Sequence, residues 1–457
     1  MATTAAAYSP PAAYPRRSVA WYALGVLTLC YTFSYVDRQI LAFLVGPLKQ
    51  DMHISDTEIG LLQGLAFAAF YAFFGLPMGM LADRFSRRNI VLAGLVAWSV
   101  MTALSGAARN YWELALARMG VGVGEAVINP CALSMIADYF PKERLSLALS
   151  VYMMGIQLGA GLAMIIGGIV AQTVASMPPI EIAGYGAVAP WRLTFVIVGV
   201  PGLLIALILA TVKEPARRSG PATSATGAPL GDETPTVRVA FMEILVRWRS
   251  VLGLAVMIGC QALSNYALLA WGPTFFERVH GWPRSQTGLA LGTIALASGC
   301  IGLFLGGRLA DSWQRKGITD ATLRVGVISL LGVGTLLPLA MLWPTASATV
   351  ATLAVGVLFV GLPIGCCYAG VQFIFPNRVR GLATAVVILI VNLMGLGLGS
   401  LLPGVFTDYL FANEQKVGNS IALTIALSSA VGLVAVLLTL RPYRRDYALL
   451  HSDAVMR

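Results

Sequence analysis

Charged side chains are scarce in this sequence. Only 11% of its 457 residues are Asp, Glu, Lys or Arg, whereas a soluble globular protein usually has roughly 25%. Apolar residues make up 57% of the chain, and its mean hydropathy is +0.77. A water-exposed surface needs more charge than this, and intrinsic disorder needs less hydrophobicity. The composition therefore excludes both and indicates a membrane protein.

Histidine is also scarce, and the cysteines are not grouped as metal ligands are. The three histidines fall in predicted loops or in the tail, which excludes a histidine metal site or a membrane-embedded histidine relay. The six cysteines lie inside apolar stretches without metal-ligand spacing, as buried small hydrophobic residues do. No segment resembles a nucleophile with its base. We therefore predict no metal, no cofactor and no enzymatic activity.

Long apolar runs dominate the chain instead. A helix needs about 20 mostly apolar residues to cross a bilayer, and the runs are too long and unbroken for barrel strands. We predict an all-α membrane protein with twelve transmembrane helices. The predicted spans cover residues 19–46, 57–82, 89–107, 112–139, 146–173, 191–212, 251–276, 286–310, 322–343, 346–376, 381–410 and 418–440.

A polar segment rich in Pro, Gly, Ser and Thr divides these spans into two groups of six. Such a composition is typical of linkers. Most Lys and Arg residues fall in segments on the side of the two termini, which the positive-inside rule places in the cytoplasm. The net charge of +10 is then a topology signal rather than a nucleic-acid-binding surface. The predicted parts are a disordered cytoplasmic N-terminus (1–18), a first six-helix lobe (19–212), a cytoplasmic linker (213–248), a second six-helix lobe (249–441) and a cytoplasmic tail (442–457).

The two lobes carry an internal repeat. TEIGLLQG at 57–64 resembles SQTGLALG at 285–292, and GMLADRFSRR at 79–88 resembles GRLADSWQRK at 307–316. The matching glycines and aspartates share a constant offset of 228 residues. One six-helix unit thus occurs twice in the same orientation, which is typical of transporters whose two lobes rock around a central substrate site.

The loop after the second span carries a motif. GMLADRFSRR resembles the G-x-x-x-D-R-x-G-x-R-R signature of the major facilitator superfamily, with Ser86 in place of the glycine. Its glycine permits close helix approach, its aspartate can accept hydrogen bonds from a helix N-terminus, and we expect its arginines to hold the loop at the lipid headgroups. We predict a conformational lock here, the alternative being a basic loop that only sets topology. The predicted lock residues are Gly79, Asp83, Arg84, Arg87, Arg88, Gly307 and Asp311.

Four charged residues lie inside predicted spans, namely Asp37 and Arg38 in the first and Arg118 and Glu125 in the fourth. A charge near the bilayer centre costs at least about 2.5–3.5 kcal/mol, so each needs a partner or a function. The four charges sum to zero, and a proton on Glu125 would leave one positive charge. Protonation and an anionic headgroup would then favour each other. We predict a proton-linked anion site here, the alternative being two static ion pairs between helices.

Polar neighbours extend this site. Helical spacing places Tyr31, Ser34 and Tyr35 on one stripe with Arg38, and Asn129 on the face of the fourth-span charges. The second-half spans have no charge in their apolar interiors, so we predict that an anionic or zwitterionic head binds the first lobe and a tail contacts the second. Ordinary packing, or a small organic acid held by amides, are the alternatives. The polar residues predicted to contact substrate from the second lobe are Gln261, Asn265, Tyr266, Tyr368, Gln372 and Asn392.

The sequence motifs around the four charges resemble a narrower group of proteins within the superfamily. YVDR at 35–38, RMGVGVGEA at 118–126 and IADYFP at 136–141 resemble the Spinster-type transporters. That resemblance implies a major facilitator fold and proton-linked movement of sphingosine-1-phosphate or lysophospholipids. It also implies that Arg38 contacts the headgroup, that Glu125 carries the proton, and that Asp37 and Arg118 complete the network. Organic anion:cation symporters carry the same four charges and are the alternative. We predict a monomeric, multi-pass protein of a bacterial inner membrane.

Overall fold

The computed structural model describes residues 14–178, 180–182, 186–217 and 237–455. Within these residues, twelve apolar helical segments are long enough to cross a membrane, as predicted. They are α1 (Arg17–Phe43), α2 (Asp56–Gly75), α3 (Arg87–Ser105), α4 (Tyr111–Tyr139), α5 (Glu143–Ala175), α6 (Trp191–Ala210), α7 (Trp248–His280), α8 (Arg284–Arg315), α9 (Ala321–Leu342), α10 (Ala346–Gln372), α11 (Val379–Phe411) and α12 (Glu414–Leu450).

Side-chain caps fix where several spans begin. Ser55 Oγ accepts from the Glu58 N–H at 3.1 Å and the Glu58 carboxylate accepts from the Ser55 N–H at 2.8 Å, a capping box that starts α2. Asn110 Oδ1 accepts from the Glu113 N–H at 3.0 Å at the start of α4. A short helix, Val45–Met52, links α1 to α2, and α2 continues beyond its apolar part as helix to Arg84.

Several spans are irregular where the lobes meet. A π-helical turn occupies Leu61–Leu65 in α2, and two more occupy Leu393–Leu398 and Phe406–Phe411 in α11. Helix α4 is interrupted between Glu125 and Ile128. Pro130 has no N–H to donate to the carbonyl four residues earlier, which accounts for this break.

Three regions differ from the sequence expectation. A three-residue strand β1 (Ile180–Ile182) pairs antiparallel with β2 (Gly186–Val188) between α5 and α6. The predicted linker contains a helix, Val237–Val246. The last helix runs to Val455 through the predicted tail, whose Arg, Ala and Leu residues are strong helix formers. Residues 1–13 and 218–236, which carry the remaining predictions about the N-terminus and the linker, lie outside the described residues.

The two lobes meet along two helix pairs. Helix α5 packs against α8, and α2 packs against α11. A Cβ added to Gly64 would lie 2.5 Å from the carbonyl oxygen of Leu396, and one added to Gly288 would lie 2.3 Å from that of Met164. Both contacts lie towards the end of the bundle away from the two termini, which we call the far end. The lobes are thus closed against each other at the far end.

Candidate functional site

The side chains of Arg38 on α1 and Glu125 on α4 form a buried ion pair. Glu125 is fully buried, and 8% of the Arg38 side chain is exposed. The guanidinium carbon lies 5.0, 4.6 and 5.5 Å from the ring centres of Tyr35, Phe67 and Tyr71. Aromatic ring faces attract a cation. One carboxylate and three rings therefore hold the Arg38 guanidinium in place.

The pair keeps unused hydrogen-bonding capacity. Within the described residues, neither Arg38 Nε nor Glu125 Oε1 has a hydrogen-bond partner. Burying an ionised carboxylate is costly unless it is paired, and a proton removes the charge altogether. Glu125 can therefore remain buried with either Arg38 or a proton as its partner, and Arg38 can accept a second anion in place of Glu125.

The other two predicted charges lie behind this pair. Arg118 and Asp37 are fully buried, and Arg118 Nη1 donates to the Asp37 backbone carbonyl at 3.2 Å. The Asp37 carboxylate lies beside Trp98 and Thr102 of α3, and its oxygens have no hydrogen-bond partner among the described residues. The structure thus brings all four charges together in two layers, with Arg38 and Glu125 nearer the space between the lobes.

A cluster of phenols surrounds Asn129. Its Nδ2 donates to the Tyr71 hydroxyl at 3.1 Å and the Tyr31 hydroxyl at 3.4 Å, and the Tyr152 hydroxyl donates to its Oδ1 at 2.9 Å. The rings of Tyr31 and Tyr152 stack with their centres 4.9 Å apart. Ser34 is not part of this cluster, because its hydroxyl donates to the Tyr31 carbonyl of its own helix. Sequence reasoning missed Tyr71 and Tyr152 because they lie on spans that carry none of the four predicted charges.

Among the predicted second-lobe residues, Tyr266 reaches the wall of a small cavity beside Arg38. Gln261 instead donates from Nε2 to the carbonyls of Phe359 and Val360, at 3.4 and 3.5 Å, within its own lobe. The structure does not bring the other four to this cavity wall. These are Asn265, Tyr368 and Asn392, which are partly buried, and Gln372, which is exposed.

That cavity lies between the lobes. It measures about 10 Å³, close to the smallest space that holds one water. Its walls are Arg38, Gln39, Ala42, Gln63, Tyr266, Ala270, Leu396 and Ser400. Sequence reasoning missed Gln39 and Gln63 because it searched the spans of the first lobe for charges. It missed Ser400 because its second-lobe selection took Asn, Gln and Tyr but no serine. A search for uncharged polar residues in apolar spans would have found Gln63.

The predicted lock differs in one respect from expectation. Arg87 is 1% exposed rather than placed at the headgroups, because two carboxylates hold it inside the lobe. It pairs with Asp138 of α4 and, through Nε at 2.9 Å, with Glu214 after α6. Ser86 Oγ and the Arg88 N–H donate to the same Glu214 carboxylate at 3.0 and 2.8 Å. Burial raises the pKa of Glu214, but these hydrogen bonds outweigh it and hold the pKa below its usual range.

The other lock residues make fewer contacts. Arg84 is exposed, and a Cβ added to Gly79 would lie 4.0 Å from Pro130 of α4. The Asp83 side chain lies outside the part of the chain that the structure describes. In the second copy, Gly307 has nothing within 4 Å of an added Cβ and Asp311 is exposed.

Two six-helix lobes that close around buried charges define a secondary transporter. The chain belongs to the Major Facilitator Superfamily, whose family model matches residues 27–400. Within that superfamily it is similar to proteins of the Spinster type, among other transporters. It is therefore a multi-pass membrane transporter and not an enzyme.

Three relatives illustrate the range of this similarity. An MFS-type efflux pump of Mycolicibacterium smegmatis is 31% identical over 94% of this chain and 95% of its own length. A probable L-galactonate transporter of Escherichia coli is 30% identical over 65% of this chain and 62% of its own length. The sphingosine-1-phosphate transporter SPNS2 of Xenopus tropicalis is 26% identical over 80% of this chain and 67% of its own length.

A solved structure shares the architecture. A bacterial homologue of the human lysosomal transporter Spinster, in an inward-facing and unoccupied conformation, superposes with a TM-score of 0.74 and 26% identity. The match covers 95% of this chain and 97% of that one.

Proposed function

We propose that this protein is a proton-coupled, alternating-access transporter of amphipathic anionic or zwitterionic lipids, of the sphingosine-1-phosphate or lysophospholipid class. The observation that carries the proposal is the buried pair of Arg38 and Glu125 beside the space between the lobes. Substrate, proton and membrane are the partners. The lock at the near end of the bundle, where the termini lie, responds to the rocking of the lobes.

Coupling follows from competition for Arg38. An anionic headgroup that binds the Arg38 guanidinium takes Glu125's partner away. A buried carboxylate that loses its partner is stabilised by a proton. Conversely, a proton on Glu125 frees Arg38 for the headgroup. Asp37, which is buried without a hydrogen bond to its carboxylate among the described residues, is the second group in this proton pathway, and Arg118 balances its charge.

The substrate class rests on the two walls of the site. The first lobe supplies the charge, and the second supplies Ala270 and Leu396 beside Tyr266 and Ser400. A relative named as a sphingosine-1-phosphate transporter supports a lipid cargo. The second candidate is a proton-coupled symporter of sugar acids or carboxylates, favoured by the relative named as a probable L-galactonate transporter and by the polar side chains of the cavity.

The orientation follows from charge distribution. The basic residues predict that both termini lie in the cytoplasm of a bacterial cell, with the protein a monomer in the inner membrane. In that orientation the closed far end faces outward. The solved bacterial homologue is inward-facing, which supports the same conformation here.

Transport into liposomes under an imposed pH gradient tests the proposal. We expect sphingosine-1-phosphate or a lysophospholipid to be moved with protons, and accumulation of a sugar acid alone would establish the second candidate instead. Glu125→Gln should abolish the response to the pH gradient and leave exchange of substrate intact. Glu113→Gln is the matched control, because this carboxylate lies on the same helix at the exposed end. An unchanged pH response in Glu125→Gln would disprove the assignment of the proton carrier.

A further inference from the structure

Unused hydrogen-bonding groups converge on the cavity beside Arg38. Among the described residues, the polar side chains of Gln39, Gln63, Tyr266 and Ser400 line this cavity. Gln63 is the sharpest case, because it is 6% exposed and both its amide nitrogen and its amide oxygen are buried without a partner. Buried polar groups in native proteins almost always have partners.

The fold does not require glutamine at this position. In the internal repeat, Gln63 of TEIGLLQG corresponds to Leu291 of SQTGLALG, which is 7% exposed in the second lobe. A leucine thus fills the equivalent place in a similar helix without an unpaired amide. The glutamine in the first lobe therefore answers a local chemical need rather than a packing need.

The local backbone supports this placement. Gln63 lies in the π-helical turn Leu61–Leu65, and such single turns occur frequently at functional sites. Gly64 beside it packs on the α11 backbone at Leu396. The cavity is consequently formed by both lobes together, and its polar groups meet only while the far end is closed.

We propose that Gln63 binds the transported headgroup. Its amide would form a hydrogen bond with a hydroxyl or ammonium group next to the anion that Arg38 binds. An amide both donates and accepts, so it can accept from a hydroxyl or ammonium and donate to an anion oxygen. The Tyr266 and Ser400 hydroxyls complete the subsite from the second lobe. The cavity of about 10 Å³ is too small for a headgroup, so the subsite opens as substrate enters. This inference rests on the proposed function for its ligand class.

An oxyanion with a neighbouring hydroxyl occurs both in lysolipid phosphates and in sugar acids. The test therefore uses two pairs of compounds, lysophosphatidic acid with its 2-deoxy analogue and galactonate with its 2-deoxy analogue. Binding to the purified full chain is measured in detergent, separately from transport. Whichever pair of compounds binds identifies the headgroup as a lysolipid phosphate or a sugar acid. The transport assay described above tests the proposed function independently.

We expect wild type to prefer the hydroxylated member of one pair by about tenfold, as one net hydrogen bond would give. Gln63→Leu should remove that preference by weakening the hydroxylated compound alone. Gln415→Leu, at an exposed position of the far end, is the control and should keep the preference. The inference is overturned if Gln63→Leu weakens the binding of both members of a pair equally, or if wild type binds neither pair. It is also overturned if Gln63→Leu changes the binding of neither member, which is the result expected if the cavity holds only a structural water. Lost selectivity in a protein that transports nothing would refute the proposed function and leave this subsite standing.

Discussion

Arg278 on α7 donates two hydrogen bonds to the carboxylate of Asp56 at the start of α2, with N–O distances of 2.6 and 2.9 Å. Asp56 is fully buried, and Lys49 contacts the same carboxylate at 2.8 Å. Since Asp56 belongs to the first lobe and Arg278 to the second, this ion pair joins the lobes at the far end. It can exist only while that end is closed.

Further contacts reinforce this closure. The Asp408 carboxylate on α11 accepts from the N–H and the hydroxyl of Thr57, each at 2.6 Å. Glu414 pairs with Lys49 at 2.7 Å. Each of these contacts again joins one lobe to the other, so opening the far end breaks several charged hydrogen bonds at once.

We predict that Arg278→Gln shifts the protein towards a conformation open at the far end. Removing one partner of a buried ion pair costs about 3–5 kcal/mol, and here only the closed conformation bears that cost. The reporter is a cysteine placed at Ser400, with the exposed Cys300 replaced by serine. In Arg278→Gln this cysteine should react with a membrane-impermeant maleimide at least about tenfold faster than in the same reporter protein with Arg278. Transport should slow, because the closed state is part of the cycle.

Glu277→Gln provides the control for this experiment. It breaks the Arg284–Glu277 pair, whose N–O distance is 2.9 Å and whose members both belong to the second lobe. A pair within one lobe does not report on closure, so maleimide reactivity should stay at the wild-type level. If Arg278→Gln reacts no faster than Glu277→Gln, the Asp56 pair does not control the far end.

A second prediction concerns Gly64. A Cβ there would lie 2.5 Å from the Leu396 carbonyl oxygen and 2.8 Å from that of Gly397. Both are backbone atoms and cannot rotate away, so Gly64→Ala should oppose closure and raise maleimide reactivity as Arg278→Gln does. Gly75→Ala is matched on the same helix, with nothing within 4 Å, and should leave reactivity unchanged. Equal behaviour of the two alanine variants would show that the helices part easily at Gly64.

The architecture was predictable because a bilayer leaves few choices. Apolar runs of about 20 residues must be helices in lipid, and a charge inside such a run is costly enough to mark a site. Asp37, Arg38, Arg118 and Glu125 were therefore visible in the sequence, and the structure brings them together. The helix ends were less visible, because α12 continues as helix where its apolar run stops.

The far-end ion pairs and the cavity were not predictable in this way. Asp56 and Arg278 stand near loops, where charges are common and carry no signal of partnership. The burial of Arg87 depends on Asp138 and Glu214, which only folding brings near. Gln63 stands in a π-helical turn, and the residue that such a turn inserts shifts the face on which later side chains lie. Regular helical spacing therefore could not show that it reaches Arg38's cavity.

A third prediction concerns the geometry around Arg38. Lysine would keep the positive charge, but it lacks the planar guanidinium that lies over Tyr35, Phe67 and Tyr71. We expect Arg38→Lys to raise the half-saturating substrate concentration about tenfold while the melting temperature changes little. Arg17→Lys, exposed at the start of the same helix, should transport normally. Wild-type affinity in Arg38→Lys would mean that charge alone binds the headgroup.

The fourth prediction concerns acid stability and Glu214, which lies after α6. Its hydrogen bonds to Arg87, Arg88 and Ser86 hold the pKa of its carboxyl below the usual value, which is about 4.3 in an unfolded chain. The ionised form therefore stabilises the folded state above that pH, and this contribution is lost as the pH falls through the lower pKa of the folded state. Glu214→Gln should lose about 1–3 kcal/mol at pH 7.

The difference in melting temperature between wild type and Glu214→Gln should therefore be largest at pH 7 and shrink below about pH 4, as the wild-type carboxyl takes up its proton. Thermal unfolding in detergent across this range measures it. Glu143→Gln, an exposed carboxylate at the same end of the bundle, should change the melting temperature less at every pH. A Glu214→Gln difference that stays constant from pH 7 to pH 3.5 would show that the carboxylate's charge does not hold the linker to the α2–α3 loop.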